Sequence, residues 1–201
     1  MIGLIDYGVG NLFSLVSSFR MIGEEAEIVR TPEEVARADK LILPGVGAFG
    51  DARAKLTQHG MDEAVLLAAG HGVPLLGICL GMQMLFETSE EFGYHAGLGL
   101  IPGRITAMQP RLPGDLKVPQ IGWNALEMEP HPLFEGIPAG ACVYFVHSYS
   151  AVDCDAWTIA RTEYGIPVTA AVARDNVLGT QFHPEKSGRI GLAILSNFCR
   201  M

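Results

Sequence analysis

Short, continuous apolar segments alternate with helical patterns through the first 87 residues of the chain. The apolar segments cover residues 2–6, 26–29, 41–43 and 74–78. Helical patterns cover residues 12–21, 50–58, 61–69 and 80–87, and a further helix is predicted to start at residues 31–34. Apolar segments without polar alternation are typical of strands that are covered on both faces. Because such strands alternate with helices, the sequence predicts an α/β fold with helices on both faces of a sheet.

The second half of the chain is richer in strand patterns. Predicted strands lie near residues 103–107, 123–128, 142–146, 156–161, 168–173 and 176–182. Residues 172–179 form a predicted hairpin that turns at residues 174–176, and a last helix is predicted from Gly188 to Cys199. No linker or repeat interrupts the chain. We therefore predict one domain, residues 1–201, in which antiparallel strands extend the parallel sheet into a mixed central sheet.

Composition and charge exclude several classes of function. Hydrophobic residues make up 49% of the 201 residues and charged residues 18%, so the chain can bury a substantial core. A net charge of -8 disfavours binding to phosphate backbones. No apolar run approaches the length of a membrane span, and the first residues lack the basic region of a signal peptide. We therefore expect a cytoplasmic protein with neither a nucleic-acid nor a membrane partner.

The four cysteines are Cys79, Cys142, Cys154 and Cys199. None of them forms a C-x-x-C pair, so the sequence predicts neither a metal site nor a redox motif, and we expect no cofactor. In a reducing compartment they are expected to be free thiols. Three of them are interpreted as small buried hydrophobic residues, and only Cys79 has surroundings that argue otherwise.

Cys79 lies in the segment Gly77-Ile78-Cys79-Leu80-Gly81, between a predicted strand and a predicted helix. This is the thiol counterpart of the Gly-x-Ser-x-Gly turn that presents a nucleophile. A side chain at Gly77 or Gly81 is expected to collide with neighbouring backbone in so sharp a turn. The N-terminus of the following helix favours the thiolate form. The motif predicts a nucleophile, although taken alone it leaves open a buried cysteine in an ordinary turn.

His183 is the best placed of the six histidines to act with Cys79. It ends an apolar strand, where a parallel sheet has its ligand-binding edge. Because Pro184 keeps His183 extended and residues two apart point to the same side, Glu185 is expected to orient the imidazole. A lone histidine at a strand end is more often a solvated loop residue, but the Cys79 turn and the His-x-Glu spacing favour catalysis. His147 is equally compatible with a structural role.

An intermediate on Cys79 needs hydrogen-bond donors for its oxyanion. The backbone N–H of Leu80 is one expected donor, from the geometry of the turn. The segment Pro44 to Gly47 follows the third strand at the same edge of the sheet, and we expect a second donor from Val46 or Gly47. The alternative is a simple glycine-rich turn.

These segments resemble the class I, or triad, glutamine amidotransferases. The resemblance is carried by residues 77–83 and by His183-Pro184-Glu185, in that order along the chain. Further segments resemble the glutaminase subunits of imidazole glycerol phosphate synthase, namely residues 5–11, 43–49, 121–124, 144–149 and 183–187. One departure is Gln120, where a histidine is expected, and it leaves the contacts of that loop open. The resemblance covers most of the chain and implies a flavodoxin-like, three-layer domain.

The resemblance also implies a reaction. The thiolate of Cys79 attacks the side-chain amide of glutamine, His183 protonates the departing ammonia, and Glu185 orients His183. Water then cleaves the γ-glutamyl thioester and releases glutamate. By the same resemblance, the side chains that hold glutamine are Gln83, Glu91, Ser148 and Tyr149.

A partner is implied as well. The resemblance predicts a heterodimer with a (β/α)8-barrel synthase subunit, which takes up the ammonia and forms imidazole glycerol phosphate and aminoimidazole carboxamide ribonucleotide in histidine biosynthesis. The residues implied at the interface and ammonia passage are Asn11, Trp123, Tyr144 and Lys186. The glycines beside Val46 let its peptide rotate at little cost. We therefore hypothesise that the resting turn aims a carbonyl at the site and that the docked partner flips it.

Three other readings stay open at this point. The first alternative is a glutaminase for another class I amidotransferase. The second is a stand-alone cysteine hydrolase of γ-glutamyl substrates, and the third is a non-catalytic interaction subunit on the same fold. Co-purification with a barrel synthase, activity without any partner, and the effect of Cys79→Ala discriminate among them.

Overall fold

The computed structural model describes residues 1–114 and 116–201, with residue 59 described by its backbone only. The strands are β1 (Ile2–Ile5), β2 (Ala26–Val29), β3 (Lys40–Leu43), β4 (Leu75–Ile78), β5 (Phe86–Ser89), β6 (His95–Ala96), β7 (Ile101–Ala107), β8 (Gln120–Ala125), β9 (Glu127–Met128), β10 (Cys142–His147), β11 (Tyr149–Val152), β12 (Thr158–Glu163), β13 (Pro167–Arg174) and β14 (Val177–Thr180). The α-helices are α1 (Leu12–Met21), α2 (Pro32–Val35), α3 (Phe49–Thr57), α4 (Met61–Gly70), α5 (Leu80–Met84) and α6 (Gly188–Arg200). Single 3-10 turns lie at Gln58–Gly60, Gln109–Arg111, Pro132–Phe134, Asp155–Trp157 and Pro184–Lys186.

The central sheet has eight strands in the order β2-β1-β3-β4-β14-β13-β12-β9. The first five in this order are parallel to one another. The other three join antiparallel, through the hairpin that turns at Asp175 and Asn176. The predicted α/β class and mixed central sheet are confirmed. Because β4 lies beside β14, segments about 100 residues apart in the chain leave the sheet next to each other.

Both faces of the sheet are buried, as continuous apolar strands predict. In β3, Leu41 and Leu43 point into one core and Ile42 into the other. Helices α3 and α4 cover the first core, with Phe49, Leu56, Met61 and Val65, and helices α1 and α6 cover the second, with Leu15, Phe19, Ile194, Leu195 and Phe198. Each such side chain contributes about 1.5–3 kcal/mol on burial. The arrangement is the predicted three-layer one.

The predicted helix start at Thr31 is present. The Thr31 hydroxyl accepts the backbone N–H of Glu34 at 3.3 Å, and Pro32 occupies the first turn. The Glu34 carboxylate accepts the N–H of Arg30 at 2.6 Å, one residue before the position that a capping box uses. The Thr31 cap is therefore in place, and only the return bond from Glu34 is shifted by one residue.

The predicted helix that begins just after Cys79 and runs to Glu87 is wrong in its second half. Helix α5 ends at Met84, and Phe86 to Ser89 form β5. This strand pairs with β7 in a second sheet of order β11-β7-β5-β6. The pairing partner lies 15 residues or more away in the chain, and local periodicity carries no signal of it.

Several strand boundaries also differ from the prediction. The predicted strand 123–128 is two strands, β8 and β9, which belong to different sheets. The predicted strand 156–161 begins as a 3-10 turn and is extended only from Thr158, and the last strand stops at Thr180 instead of residue 182. Strands β5, β6 and β11 have no counterpart in the prediction.

Each cysteine is a free thiol, as expected. Cys154 is buried and Cys199 is half-buried, but Cys142 is exposed, so its interpretation as a buried residue is wrong. It begins β10, which pairs with β8 alone in a two-stranded sheet and leaves that strand start uncovered. Across residues 1–114 and 116–201, no helix is long and apolar enough to span a membrane. The same residues contain no group of three His, Cys, Asp or Glu side chains arranged to hold a metal ion.

Candidate active site

Cys79 connects β4 to α5 in a strained backbone conformation. Its φ is 55° and its ψ is -110°, a backbone region that residues other than glycine rarely adopt. A Cβ atom on Gly77 would lie 2.7 Å from the Gly81 carbonyl oxygen, and one on Gly81 would lie 1.8 Å from that of Leu43. Both glycines are therefore required by close backbone approach, as the sequence motif predicts. The turn lifts the sulphur out of the sheet edge.

The end of β14 brings His183 to the sulphur. The backbone N–H of Cys79 donates to the Thr180 carbonyl at 2.7 Å, which continues the parallel ladder of β4 and β14 by one bond. Beyond Thr180 the chain stays close to Cys79, and the side chains of His183 and Cys79 line the same cavity. His183 is 3% exposed. The pair is therefore set by strand pairing and lies almost out of contact with water.

Glu185 completes a chain of three side chains. Its Oε1 lies 2.8 Å from Nδ1 of His183, and both side chains are buried. Burial by itself lowers the pKa of His183, but hydrogen bonds to Cys79 and Glu185 and their charges outweigh burial and raise the pKa to about 9. At neutral pH the imidazole therefore holds its proton. This arrangement keeps an acid next to the sulphur.

The backbone of His183 is held by a contact that sequence reasoning missed. The buried Ser187 hydroxyl donates to the His183 carbonyl at 2.6 Å and accepts the N–H of Tyr144 at 3.0 Å. The N–H of His183 in turn donates to the Tyr144 carbonyl at 3.0 Å. Ser187 thereby ties β10 to the histidine, and its position four residues after His183 gives no sequence signal of that role.

The turn from Pro44 to Gly47 packs directly on the Cys79 turn. A Cβ atom on Gly45 would lie 2.7 Å from the Gly81 nitrogen, and Gly47 has a φ of 95°. The hydroxyl of buried Tyr7 donates to the Pro44 carbonyl at 2.7 Å. Burial raises the pKa of the Tyr7 phenol well above its usual range, so this hydroxyl stays a donor. Tyr7 is a second residue that sequence reasoning missed.

A cavity of about 380 Å³ opens above the sulphur. Ten residues predicted for the site line it: Val46, Gly47, Cys79, Leu80, Gln83, Glu91, Ser148, Tyr149, His183 and Lys186. Glu185 lies behind His183, away from the cavity wall. The structure therefore brings the predicted nucleophile, donors and glutamine-holding residues to one concave surface.

The four residues predicted to hold glutamine differ in their contacts. Gln83 is 5% exposed, and its amide nitrogen bonds within the protein. The Glu91 carboxylate accepts the N–H of Phe49, the first residue of α3, at 2.6 Å. Burial raises the pKa of Glu91, and the Phe49 bond partly opposes this shift. Ser148 and Tyr149 lie where β10 passes into β11.

His147 lines the same cavity as His183, and the sequence left its role open. Its Nδ1–H donates to the Tyr149 carbonyl at 2.8 Å, so Nε2 carries a lone pair. That atom is buried without a hydrogen-bond partner among the described residues. Burial lowers the pKa of His147 to about 4, although the bond to Tyr149 opposes the shift. His147 is therefore neutral at pH 7, unlike His183.

Gln120 lies opposite His147 in the pairing of β8 with β10. The side chain is fully buried, and its Nε2 donates to Oδ1 of Asn124 at 3.0 Å. Its Oε1 has no partner among the described residues. The loop contact that the sequence left open is therefore internal to β8.

Three of the four predicted interface residues form one cluster at the rim of the cavity. The rings of Trp123 and Tyr144 meet edge to face, with centroids 6.1 Å apart, and Nζ of Lys186 lies 5.9 Å from the Tyr144 ring. Trp123 is 56% exposed. Asn11 is separate from this cluster and caps α1, where its side chain accepts the N–H of Ser14 at 3.3 Å.

The family model for class I glutamine amidotransferases matches residues 3–201. The chain is 52% identical to the imidazole glycerol phosphate synthase subunit HisH of Syntrophotalea carbinolica, over 98% of each chain. It is 51% identical to the subunit of the same name from Sulfurimonas denitrificans, over 100% of this chain and 98% of the relative.

Solved structures show the same fold at lower identity. A crystal structure described as a glutamine amidotransferase superposes with a TM-score of 0.76 at 20% identity and covers 98% of each chain. A chain in the structure of PurLQS from Thermotoga maritima superposes with a TM-score of 0.78, also at 20% identity, over 99% of this chain and 97% of that one.

Proposed function

This chain belongs to the class I glutamine amidotransferase family, and from that premise we propose that it is the glutaminase subunit of imidazole glycerol phosphate synthase. The two HisH relatives, about half identical along nearly the whole chain, support this assignment. The observation that carries the chemistry is that Cys79 and His183 line one cavity, with Glu185 bonded to His183 from behind. The subunit hydrolyses glutamine to glutamate and ammonia.

In the first step, the Cys79 thiolate attacks the carbonyl carbon of the glutamine side-chain amide. The carbonyl oxygen becomes an oxyanion, which the N–H of Leu80 and an N–H from Val46 or Gly47 stabilise. The C–N bond then breaks, and His183 transfers its proton to the departing nitrogen. The products of this step are ammonia, a γ-glutamyl thioester and a neutral His183. The raised pKa of His183 supports its role as the acid.

In the second step, neutral His183 takes a proton from water as that water attacks the thioester. The tetrahedral intermediate collapses, the C–S bond breaks, and glutamate leaves. The sulphur departs as a thiolate beside the newly protonated imidazole, which restores the starting pair. Glu185 holds the Nδ1 proton through both steps and compensates the positive charge on the ring.

The cavity has the polar groups that a small amino acid requires. We assign the Glu91 carboxylate to the α-ammonium group of glutamine, because it is the acidic side chain that lines the cavity. Gln83, Ser148 and Tyr149 line the same surface and complete the set that holds glutamine.

The chain forms a heterodimer in the cytoplasm with a synthase subunit of (β/α)8-barrel fold, and the ammonia passes to that subunit. That subunit joins ammonia to a formimino ribonucleotide and releases imidazole glycerol phosphate and aminoimidazole carboxamide ribonucleotide, in histidine biosynthesis. Lys186 lines the cavity and also lies over Tyr144, next to exposed Trp123, so the cavity and this aromatic cluster are continuous. When the synthase subunit docks on Trp123, Tyr144 and Lys186, and also on Asn11, it covers the mouth of the cavity through which ammonia leaves.

The turn at Val46 regulates the site in this scheme. The tight packing of Gly45 and the bond from Tyr7 to Pro44 hold one end of the turn. Val46 is 42% exposed, and a Cβ atom on Gly47 would meet nothing within 4 Å, so the other end has room to rotate. The free subunit is then nearly inactive until the partner turns a peptide N–H toward the oxyanion.

One assay tests the proposal. Glutamate formation is measured for this subunit alone, with a barrel synthase subunit, and with that subunit plus its ribonucleotide ligand. We expect little activity alone and an increase of about 10- to 100-fold in the full complex. Cys79→Ala abolishes turnover, whereas the matched change Cys142→Ala at an exposed thiol leaves it unchanged.

The other outcomes of this assay are informative. Equal rates with and without the partner contradict the regulated turn. Robust hydrolysis of γ-glutamyl peptides by the free chain identifies a stand-alone hydrolase instead. Full partner-dependent turnover in Cys79→Ala means that Cys79 is not the nucleophile.

A further inference from the structure

Gln181 is a buried residue that the mechanism has not used. It follows β14, two residues before His183, and it has no exposed surface. The chain bends at residues 181 and 182, directly after β14. Nε2 of Gln181 lies 3.7 Å from Sγ of Cys79, so the segment that carries His183 also presents an amide to the sulphur.

The orientation of this amide follows from a chain of hydrogen bonds that starts at a backbone group. The nitrogen of the Gln83 side chain lies 3.1 Å from the carbonyl oxygen of Tyr149. A backbone carbonyl only accepts, so the atom of Gln83 that faces it must be the NH2 group. This removes the ambiguity between nitrogen and oxygen that a side-chain amide otherwise has.

The second bond transmits that orientation. The same Gln83 nitrogen lies 3.0 Å from the Gln181 amide, and because it donates, it must face the oxygen Oε1. The NH2 group of Gln181 is then directed at Cys79. The carbonyl of Tyr149 thus determines, through two amides, that Gln181 presents its NH2 group and not its oxygen to the sulphur.

We infer that Gln181 is a catalytic residue of the proposed glutaminase, as an N–H donor to the Cys79 sulphur whose orientation is set by Gln83. This inference rests on the proposed function and adds a residue to it. The amide gives up no proton at any step. It makes a charge-assisted hydrogen bond whenever the sulphur carries a negative charge.

The bond therefore acts at two points of the reaction. It stabilises the thiolate that attacks glutamine, and it stabilises the thiolate that leaves when the thioester is hydrolysed. In the thioester the sulphur is neutral and accepts only weakly, so the bond favours release of glutamate over accumulation of the intermediate. Gln181 thus supplies a side-chain donor to Sγ, in addition to the charge of the nearby imidazole of His183.

A consequence follows for Gln83. Both hydrogens of its amide have acceptors inside the protein, at Tyr149 and Gln181. Only its Oε1 is left for a ligand, so Gln83 acts toward glutamine as a hydrogen-bond acceptor. The group that it meets on glutamine must be an N–H donor.

The test measures alkylation of Cys79 by iodoacetamide as a function of pH, with the modified residue identified by mass spectrometry. The reaction needs neither glutamine nor a partner, and the exposed thiol of Cys142 serves as a reference in the same sample. Gln181→Met removes the donor at nearly constant volume. Because the thiolate loses a hydrogen bond, the acid-side midpoint of the Cys79 profile should rise by about one pH unit.

Two further variants and a control sharpen the test. Gln181→Glu still accepts from Gln83 but turns a carboxylate oxygen toward the sulphur, so its midpoint should rise further. Gln83→Met frees the Gln181 amide to rotate and should raise the midpoint by less than Gln181→Met. Gln120→Met, the same change at another buried glutamine, should leave the midpoint unchanged.

The possible results are separable. If Cys79 and Cys142 have the same profile in the unmodified protein, Cys79 is no activated nucleophile and the proposed function fails. If Cys79 is activated but its profile is the same in Gln181→Met, the role of Gln181 is refuted and the proposed function stands. If both Gln181 variants fail to fold, as judged by thermal unfolding, the midpoint of the Cys79 profile in Gln83→Met decides. An unchanged midpoint in that variant refutes the inference.

Discussion

The N–H of Cys79 donates to the carbonyl of Thr180 at 2.7 Å, and this bond joins the two halves of the active site. On one side the chain enters the strained turn of the nucleophile. On the other it continues through Gln181 to His183. A bond of the sheet ladder therefore sets how closely the backbone of Cys79 approaches the segment that carries His183.

Replacing a turn glycine tests the close packing behind Cys79. In Gly81→Ala the new Cβ atom would lie 1.8 Å from the Leu43 carbonyl oxygen, so the turn must move. We expect unfolding free energy to fall by about 1–3 kcal/mol and activity to be lost. Gly70→Ala is the control, since its Cβ atom meets nothing within 4 Å at the end of α4. Urea unfolding of both variants checks this, and equal losses would contradict it.

The raised pKa of His183 predicts an alkaline limit of activity. The imidazole must hold a proton to release ammonia, and its pKa is about 9, so kcat/KM should fall above about pH 9. In Glu185→Gln the ring loses a negative neighbour, and the limit should move to lower pH. By analogy with other triads, kcat should fall by about 10⁴-fold. A pH profile of glutamine hydrolysis in the complex measures both effects, and an unmoved alkaline limit would exclude Glu185 as the orienting group.

The same pKa has a consequence for stability. A histidine whose pKa is raised on folding stabilises the fold fully below its unfolded value near 6.5, and this contribution is lost as pH rises through about 9. The unfolding free energy should therefore decline between these values. His183→Gln should flatten that decline in equilibrium unfolding at a series of pH values.

His147 predicts the opposite dependence. Its folded pKa of about 4 lies below the unfolded value near 6.5, so the unfolded chain binds a proton first as pH falls. Stability should drop between pH 6.5 and pH 4, by an amount on the order of 3 kcal/mol. His147→Gln should remove most of this drop in stability. The control His71→Gln, at an exposed residue, should leave the drop unchanged. Unfolding at pH 7 and pH 4.5 gives the comparison, and an equal drop in His147→Gln would contradict the assignment.

The aromatic cluster predicts the position of the partner. Trp123→Ala should leave the stability of the free subunit within about 0.5 kcal/mol, because the side chain is 56% exposed. Buried in an interface, it should contribute about 2 kcal/mol or more to binding. Leu67→Ala, at a 61% exposed residue of α4, is the control. Calorimetric titration with the synthase subunit measures the affinity, and unchanged binding in Trp123→Ala would place the interface elsewhere.

Tyr7 predicts a loss of rate without a loss of substrate binding. Tyr7→Phe removes only the hydroxyl that holds the Pro44 carbonyl, at a cost of about 1 kcal/mol. If that bond positions the oxyanion turn, kcat should fall by about fivefold while KM stays constant. Tyr164→Phe is the control, because its hydroxyl also donates to a backbone carbonyl, that of Lys117, at 2.8 Å. Equal kcat values in both variants would show that the Tyr7 bond is merely structural.

Local features of the sequence determined much of this protein. Glycines at 77 and 81 identify a turn that admits no side chain, and the sequence His183-Pro184-Glu185 identifies the pair His183 and Glu185. The expected extended segment is wrong beyond His183, because Pro184 to Lys186 form a 3-10 turn that brings the carboxylate to the imidazole. Continuous apolar strands between helices indicate a sheet covered on both faces. These features depend on steric limits and on contacts between near neighbours, and both operate within a few residues of the chain.

Tertiary structure alone decided the rest. Phe86 to Ser89 form a strand because β7 is there to pair with them. Gln181 faces the sulphur as a donor because Gln83 and the Tyr149 carbonyl, from two other segments, orient its amide. His147 and His183 are both buried histidines, yet their pKa values are about 4 and about 9, because only His183 has Cys79 and Glu185 beside it. Strand pairing and local electrostatic environment arise from residues distant in the chain, so they exist only once β4 and β14 lie side by side.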